Sequence, residues 1–113
     1  MFSVNKVILV GVIASEIELR HTTSSVPVCN FSVVTSRTFQ KRNGEKGEGK
    51  EWHKITVFGK NAETIAESGK KGEVVYVEGR ITTDKWTDKE GLVHRTTKIV
   101  SREAELGGHN GHA

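Results

Sequence analysis

Apolar and polar residues alternate every second position through most of this chain, and the period becomes helical only once. Residues 4–13 (VNKVILVGVI) are rich in valine and isoleucine and predict a strand. Val7, Leu9 and Ile13 fall on one face, and Val4, Ile8, Val10 and Val12 on the other. A strand apolar on both sides is covered on both sides. In so short a chain the second cover can be another subunit. Residues 21–27 (HTTSSVP) read as a turn, with Pro27 just before the next strand, where its missing N–H is tolerated. Residues 28–39 alternate, with Cys29, Phe31 and Val33 opposite Asn30 and Ser32. Residues 40–50 (QKRNGEKGEGK) carry glycine and charge but no apolar side chain, which predicts a mobile loop extending a hairpin.

A third strand is expected at 51–58, then a helix over Lys60–Ser68, where Ala62, Ile65 and Ala66 have helical spacing. Gly69 and Gly72 supply its exit. Residues 73–83 predict a fourth strand, with Gly79 marking a bend or bulge useful for closing a barrel. Asp88-Lys89-Glu90-Gly91 reads as a tight turn before a last strand at 92–102. The order strand, strand, strand, helix, strand, strand is that of an all-β, five-stranded Greek-key barrel, the OB-fold, with one short helix between strands 3 and 4. The expected division is a barrel domain over residues 1–103 and a short disordered Gly/His tail over 104–113.

The third strand carries the most chemistry. Its alternation points His53, Ile55 and Val57 one way and Trp52, Lys54, Thr56 and Phe58 the other. In the opposite register the two aromatics fill the barrel, which is the usual fate of an isolated Trp or Phe. That register would expose two aliphatics and bury Lys54 between aromatics, at high cost. Two aromatics and a cation on an outer face suit a ligand with flat rings and a negatively charged backbone, such as single-stranded nucleic acid. Phe39 beside Lys41 and Arg42, Phe58 beside Lys60, and Trp86 beside Lys85 repeat the pairing of ring and cation.

Composition narrows this reading without making it. One domain is natural for 113 residues. The net charge of +3 is only mildly basic, so placement of charge matters more than its sum. Cys29 is the sole cysteine, so no internal disulfide forms; it reads as a small buried hydrophobe in a reducing, cytoplasmic setting. No apolar run approaches ~18 residues, and no export signal precedes the first strand, so neither a membrane span nor secretion is expected. Asn30-Phe31-Ser32 matches a glycosylation acceptor only by pattern. His21, His53 and His94 are scattered, and His109 and His112 lie in the glycine-rich tail, so no metal or other cofactor is expected. A phosphate-binding loop and a supported nucleophile–base pair are both missing, which argues against an enzyme.

Five blocks together resemble the bacterial-type single-stranded DNA-binding protein family. They are Val4–Gly11, Glu51–Lys54, Phe58–Lys60, Tyr76–Gly79 and Lys85–Thr87. Each is weak alone; their order and spacing are specific, and the likeness runs from about Val4 to Val100. The resemblance implies an OB-fold that assembles as a homotetramer and wraps single-stranded DNA without sequence preference. It places base stacking on Phe39, Trp52, Phe58 and Trp86, and basic contacts on Arg42, Lys54, Lys60, Lys70, Lys71 and Lys85. It puts His53 at a subunit contact, alongside Val4, Ile8 and Val10 of the two-sided first strand. Phe39 stands where relatives often carry tryptophan, Asp84 where they often carry arginine, and Ser68 where a bulky residue is common. The family's long tail with an acidic, hydrophobic tip is not present before Ala113, which puts recruitment of replication and repair enzymes by that route in doubt. A replication-restart accessory barrel, or a barrel using its aromatics for protein contact, are the competing functions.

Overall fold

The computed structural model of the chain describes residues 2–107. Six strands and one helix follow in the order β1 (Val7–Ile13), β2 (Glu18–His21), β3 (Pro27–Gln40), β4 (Lys46–Phe58), α1 (Lys60–Ser68), β5 (Val74–Thr87) and β6 (Val93–Leu106). Neighbouring strands run β1-β5-β6-β4-β3, and β1 returns to β3 through Val12↔Val34 and Ile13↔Val33, which closes a five-stranded barrel. All pairings are antiparallel except β4 with β6, which meet in parallel at Ile55↔Ile99 and Val57↔Ser101. The additional strand, β2, is the continuation of β1. After a bend, where Ala14 N–H donates to Ser32 O, β2 pairs along the same edge of β3, Glu18 opposite Asn30 and Leu19 opposite Cys29. The expected five strands are therefore present; β2 lies beyond the expected first strand, and its last residue, His21, falls in the expected turn.

The core follows the alternation. Ile13, Cys29, Phe31, Val33, Ile55, Val57, Val75, Val77 and Ile99 point inward and are buried. Ala62 and Ile65 of α1 join them, one helical turn apart, so the helix closes one end of the barrel. Burial pushes the Cys29 thiol up to about 11, which leaves it protonated and inert. The first strand starts later than its composition suggests, at Val7; Val4 lies outside the ladder and is exposed. Asn5 ends the pairing by substituting its side-chain amide for a backbone partner: Nδ2 donates to Ile81 O at 2.8 Å and Oδ1 accepts Ile81 N–H at 2.9 Å.

Gly79 marks the bulge expected of it. Glu78 faces Glu103 and Gly79 faces Ser101, so Arg102 of β6 is the extra residue. A Cβ on Gly79 would run into the Val100 carbonyl, so only glycine permits this approach. The ladder groups freed there find partners. Ser101 Oγ donates to Glu78 O at 2.6 Å and accepts Glu103 N–H at 3.0 Å, and Asn61 of α1 donates to Arg102 O.

Two expectations need correction. The glycine-rich 40–50 segment is mostly ladder: β3 and β4 pair from Val28↔Phe58 to Gln40↔Lys46, leaving 41–45 as the turn. Backbone pairing across a two-stranded arm needs no apolar face, so the missing hydrophobics did not forbid a strand. The barrel also outlasts residue 103. β6 continues to Leu106, with Ala104 buried in the core. The rest of the expected tail, residues 108–113, lies outside the described residues.

Candidate nucleic-acid interface

The outer face of β4 is set by its partners. Trp52 lies opposite Val34, Lys54 opposite Ser32, Thr56 opposite Asn30 and Phe58 opposite Val28. With Ile55 and Val57 buried, Trp52 stands 64% exposed. Thr56 is satisfied by donating to Asn30 Oδ1 at 2.7 Å. Beyond their short parallel contact, β4 and β6 part. The gap is a cleft of about 360 Å³ lined by Trp52, His53, Lys54, Ile81, Arg95, Thr96, Thr97 and Lys98. A second cleft of about 500 Å³ shares Lys54 and Lys98 and runs on past Ser32, Asn30 and Thr56 to Glu16 and Glu18. The two form one trough with an aromatic and three cations at one end and two carboxylates at the other. Lys98 reaches Asp84 Oδ2 at 2.9 Å, so Asp84 neutralises part of the trough's charge.

Two long hairpin arms flank this trough. On the β5–β6 arm Trp86 is 51% exposed and stacks on His94, with centroids 4.3 Å apart and planes at 17°. His94 Nε2 lies 2.7 Å from Asp88 Oδ2. That contact, then the Leu92 N–H, holds the Asp88 carboxyl below its ordinary range. Lys85 does not share Trp86's face; it is opposite Arg95, on the other side of the arm. On the β3–β4 arm Phe39 lies on the face of Val33 and Arg37, not on that of Trp52. Its ring covers the Gly47 backbone, and the Arg37 guanidinium sits 4.9 Å from the ring centroid.

The predicted residues thus separate into groups. Trp52 and Lys54 come together in the trough. Half-buried Phe58 and exposed Lys60 follow at the far end of β4. Phe39 and Arg42 belong to one arm, Trp86 and Lys85 to the other. Lys70 and Lys71 sit in the turn before β5. At about 3.3 Å per residue that is on the order of 40 Å along the strand from Trp86. Sequence reasoning missed Arg95, Lys98 and His94. Lys98 and His94 alternate with Thr96 on the outer face of β6, a period-two signal that was there to be read.

The expected subunit residues lie elsewhere. Ile8 and Val10 are 56% and 59% exposed, and with Val12 and Val74 they make an apolar stripe. The stripe is edged by Tyr76, whose hydroxyl donates to Glu78 Oε1 at 2.8 Å, and by Lys6, 3.1 Å from Glu78 Oε2. Tyr76 and then Lys6 draw the Glu78 carboxyl down, while Glu78 pushes the Tyr76 phenol up. His53 is half-buried on the core side of β4, with Nε2 2.9 Å from Thr35 Oγ1. Among the described residues no three His, Cys, Asp or Glu side chains gather as a metal site. No helix there is long and apolar enough to cross a membrane.

A closed five-stranded barrel with a capping helix and an exposed aromatic-basic trough defines an oligonucleotide-binding type of β-barrel. Residues 4–106 match the Single-strand binding protein family, and the chain belongs to it. Its relatives include the single-stranded DNA-binding proteins of Neisseria meningitidis serogroup A and serogroup B. Each is 45% identical over 109 residues, covering 96% of this chain and 63% of the relative. The chain therefore spans somewhat under two thirds of the length of these curated relatives. A Plasmodium falciparum SSB, solved in complex with ssDNA, superimposes with a TM-score of 0.83 at 28% identity, over 94% of this chain and 95% of that one. A deletion mutant of the single-stranded DNA binding protein from Thermus aquaticus also reaches 0.83, at 19% identity, over 96% and 52% of the two chains.

Proposed function

We propose that this protein is a non-enzymatic, cytoplasmic binder of single-stranded DNA without sequence preference, working as a homotetramer in replication, recombination and repair. The observation that carries this is the trough: an exposed Trp52 indole beside Lys54, Arg95 and Lys98 on a barrel of this family. Stacking is indifferent to base identity because every base has a π-face, and the cations meet phosphates rather than base edges. The aromatics are spread over the trough and both arms, so a strand engaging all of them must wrap around the barrel. Duplex DNA hides its base faces and does not fit. Binding only the unpaired form shifts melting equilibria by mass action and needs no ATP.

The test is a fluorescence titration. Poly-dT quenches the tryptophan emission strongly, and duplex DNA does not. Trp52→Ala weakens binding by ~1–3 kcal/mol while the barrel stays folded. Each phosphate contact adds a slope of about −0.7 to log K against log salt. Unchanged affinity in a folded Trp52→Ala protein, or affinity insensitive to salt, sinks the proposal.

A further inference from the structure

Trp86 is not a free-standing platform. One face of its indole lies against the imidazole of His94, its direct partner across the β5–β6 ladder. His94 is tied through Nε2 to Asp88 Oδ2 at 2.7 Å. Asp88 is fixed in turn: its Oδ1 accepts the backbone N–H groups of Glu90 and Leu92, each at 2.9 Å, and its own N–H donates to Leu92 O. A closed turn, a carboxylate, an imidazole and an indole are thus linked in series at the tip of an arm. An exposed tryptophan on a two-stranded arm otherwise samples several rotamers, and a bound base must pay for ordering it.

We propose that His94 and Asp88 are positioning residues for Trp86, holding the indole with one face backed and the other turned toward an incoming base. A bound strand then extends a three-layer stack of base, indole and imidazole. The inference rests on Trp86 being a base platform and adds what makes it one. The charged groups facing His94 are Asp88 of the turn and, two positions back on the same face of β5, Asp84, already paired with Lys98. Lys85 and Arg95 project from the other face.

The chain has two tryptophans, so Trp52→Phe leaves Trp86 as the only reporter. In that background the free protein's emission changes in His94→Ala, where no ring backs the indole, and changes less in His94→Phe. Affinity for a dT oligomer falls about 3- to 10-fold in His94→Ala, and His94→Phe, which keeps a ring behind the indole, recovers most of it. Asp88→Asn keeps an oxygen for the turn and gives a smaller loss. Circular dichroism checks that each variant is folded. If Trp86→Ala binds as the parent does, Trp86 is no platform and the proposal falls with it. If Trp86→Ala weakens binding but a folded His94→Ala does not, the platform stands and the positioning role is overturned. A Trp86 emission that His94→Ala leaves unchanged overturns it as well.

Discussion

Gly47 and Gly79 differ in what a side chain added there would meet. A Cβ on Gly47 would come within 2.6 Å of the Phe39 ring atoms Cε2 and Cζ, the far end of a side chain that can swing away. Gly47→Ala should therefore leave stability within about 1 kcal/mol of the parent, by thermal unfolding, yet weaken dT binding a few-fold by tilting the ring. Wild-type affinity in that variant would show that Phe39 does not depend on this seat. At Gly79 the obstacle is the Val100 backbone carbonyl, which has nowhere to go. Gly79→Ala should lose on the order of 3 kcal/mol in urea unfolding. Trp52 and Lys54 were legible as neighbours on one outer face because period-two alternation fixes their common side within one strand. Lys98 and Arg95 were not connected to them, because their place in the trough comes from a parallel pairing more than forty residues distant in sequence, and single-strand patterns carry no register. The same blindness paired Lys85 with Trp86; adjacency along a strand puts neighbours on opposite sides, and two arms add a second surface.

At the scale of elements, the helix over Lys60–Ser68, the bulge at Gly79 and the turn at Asp88–Gly91 stood in the sequence, because helical period, a strand glycine and an Asp-led turn are local signals. The β3–β4 arm was hidden for the opposite reason. Its residues past Thr35 bury nothing, so no hydrophobic pattern announces them, and its glycines at 47 and 49 imitate a loop while they make room for Phe39 and Arg37. The β5–β6 turn carries its own acid sensitivity. His94 and three backbone N–H groups, those of Leu92, Glu90 and Gly91, depress the Asp88 carboxyl in the folded state. A depressed carboxyl favours the folded turn at neutral pH, and that contribution is lost as pH falls through its folded value. The Glu90 and Leu92 amide resonances should titrate together, with a midpoint below the ordinary aspartate range, and Asp88→Asn should abolish the titration. A midpoint at or above that range would mean the turn is not held by the carboxylate.

For the whole molecule, the unresolved tension is the first strand. Among the described residues β1 meets β3 only through Val12 and Ile13, and the backbone edge from Val7 to Gly11 has no ladder partner there on that side. The same strand exposes Ile8 and Val10 beside Val74. An open edge next to an apolar stripe is the usual invitation to a symmetry mate, and a two-fold pairing of β1 with its copy covers both at once. His53 is not on this stripe; it lies on the core side of β4, against Thr35. Two separate surfaces are what a tetramer with two kinds of two-fold contact requires. Light scattering over a dilution series should therefore give a tetramer for the parent protein. Ile8→Glu with Val10→Glu should remove the stripe contact and give a smaller species with an intact barrel by circular dichroism. His53→Tyr should loosen assembly at the other surface, with dissociation at higher protein concentration than the parent. Binding should report the difference: a dT strand long enough to reach several barrels should lose far more affinity in the stripe variant than one short enough for a single trough. A parent protein that is monomeric at micromolar concentration would refute the assembly, and would leave Ile8 and Val10 exposed for no reason the fold supplies.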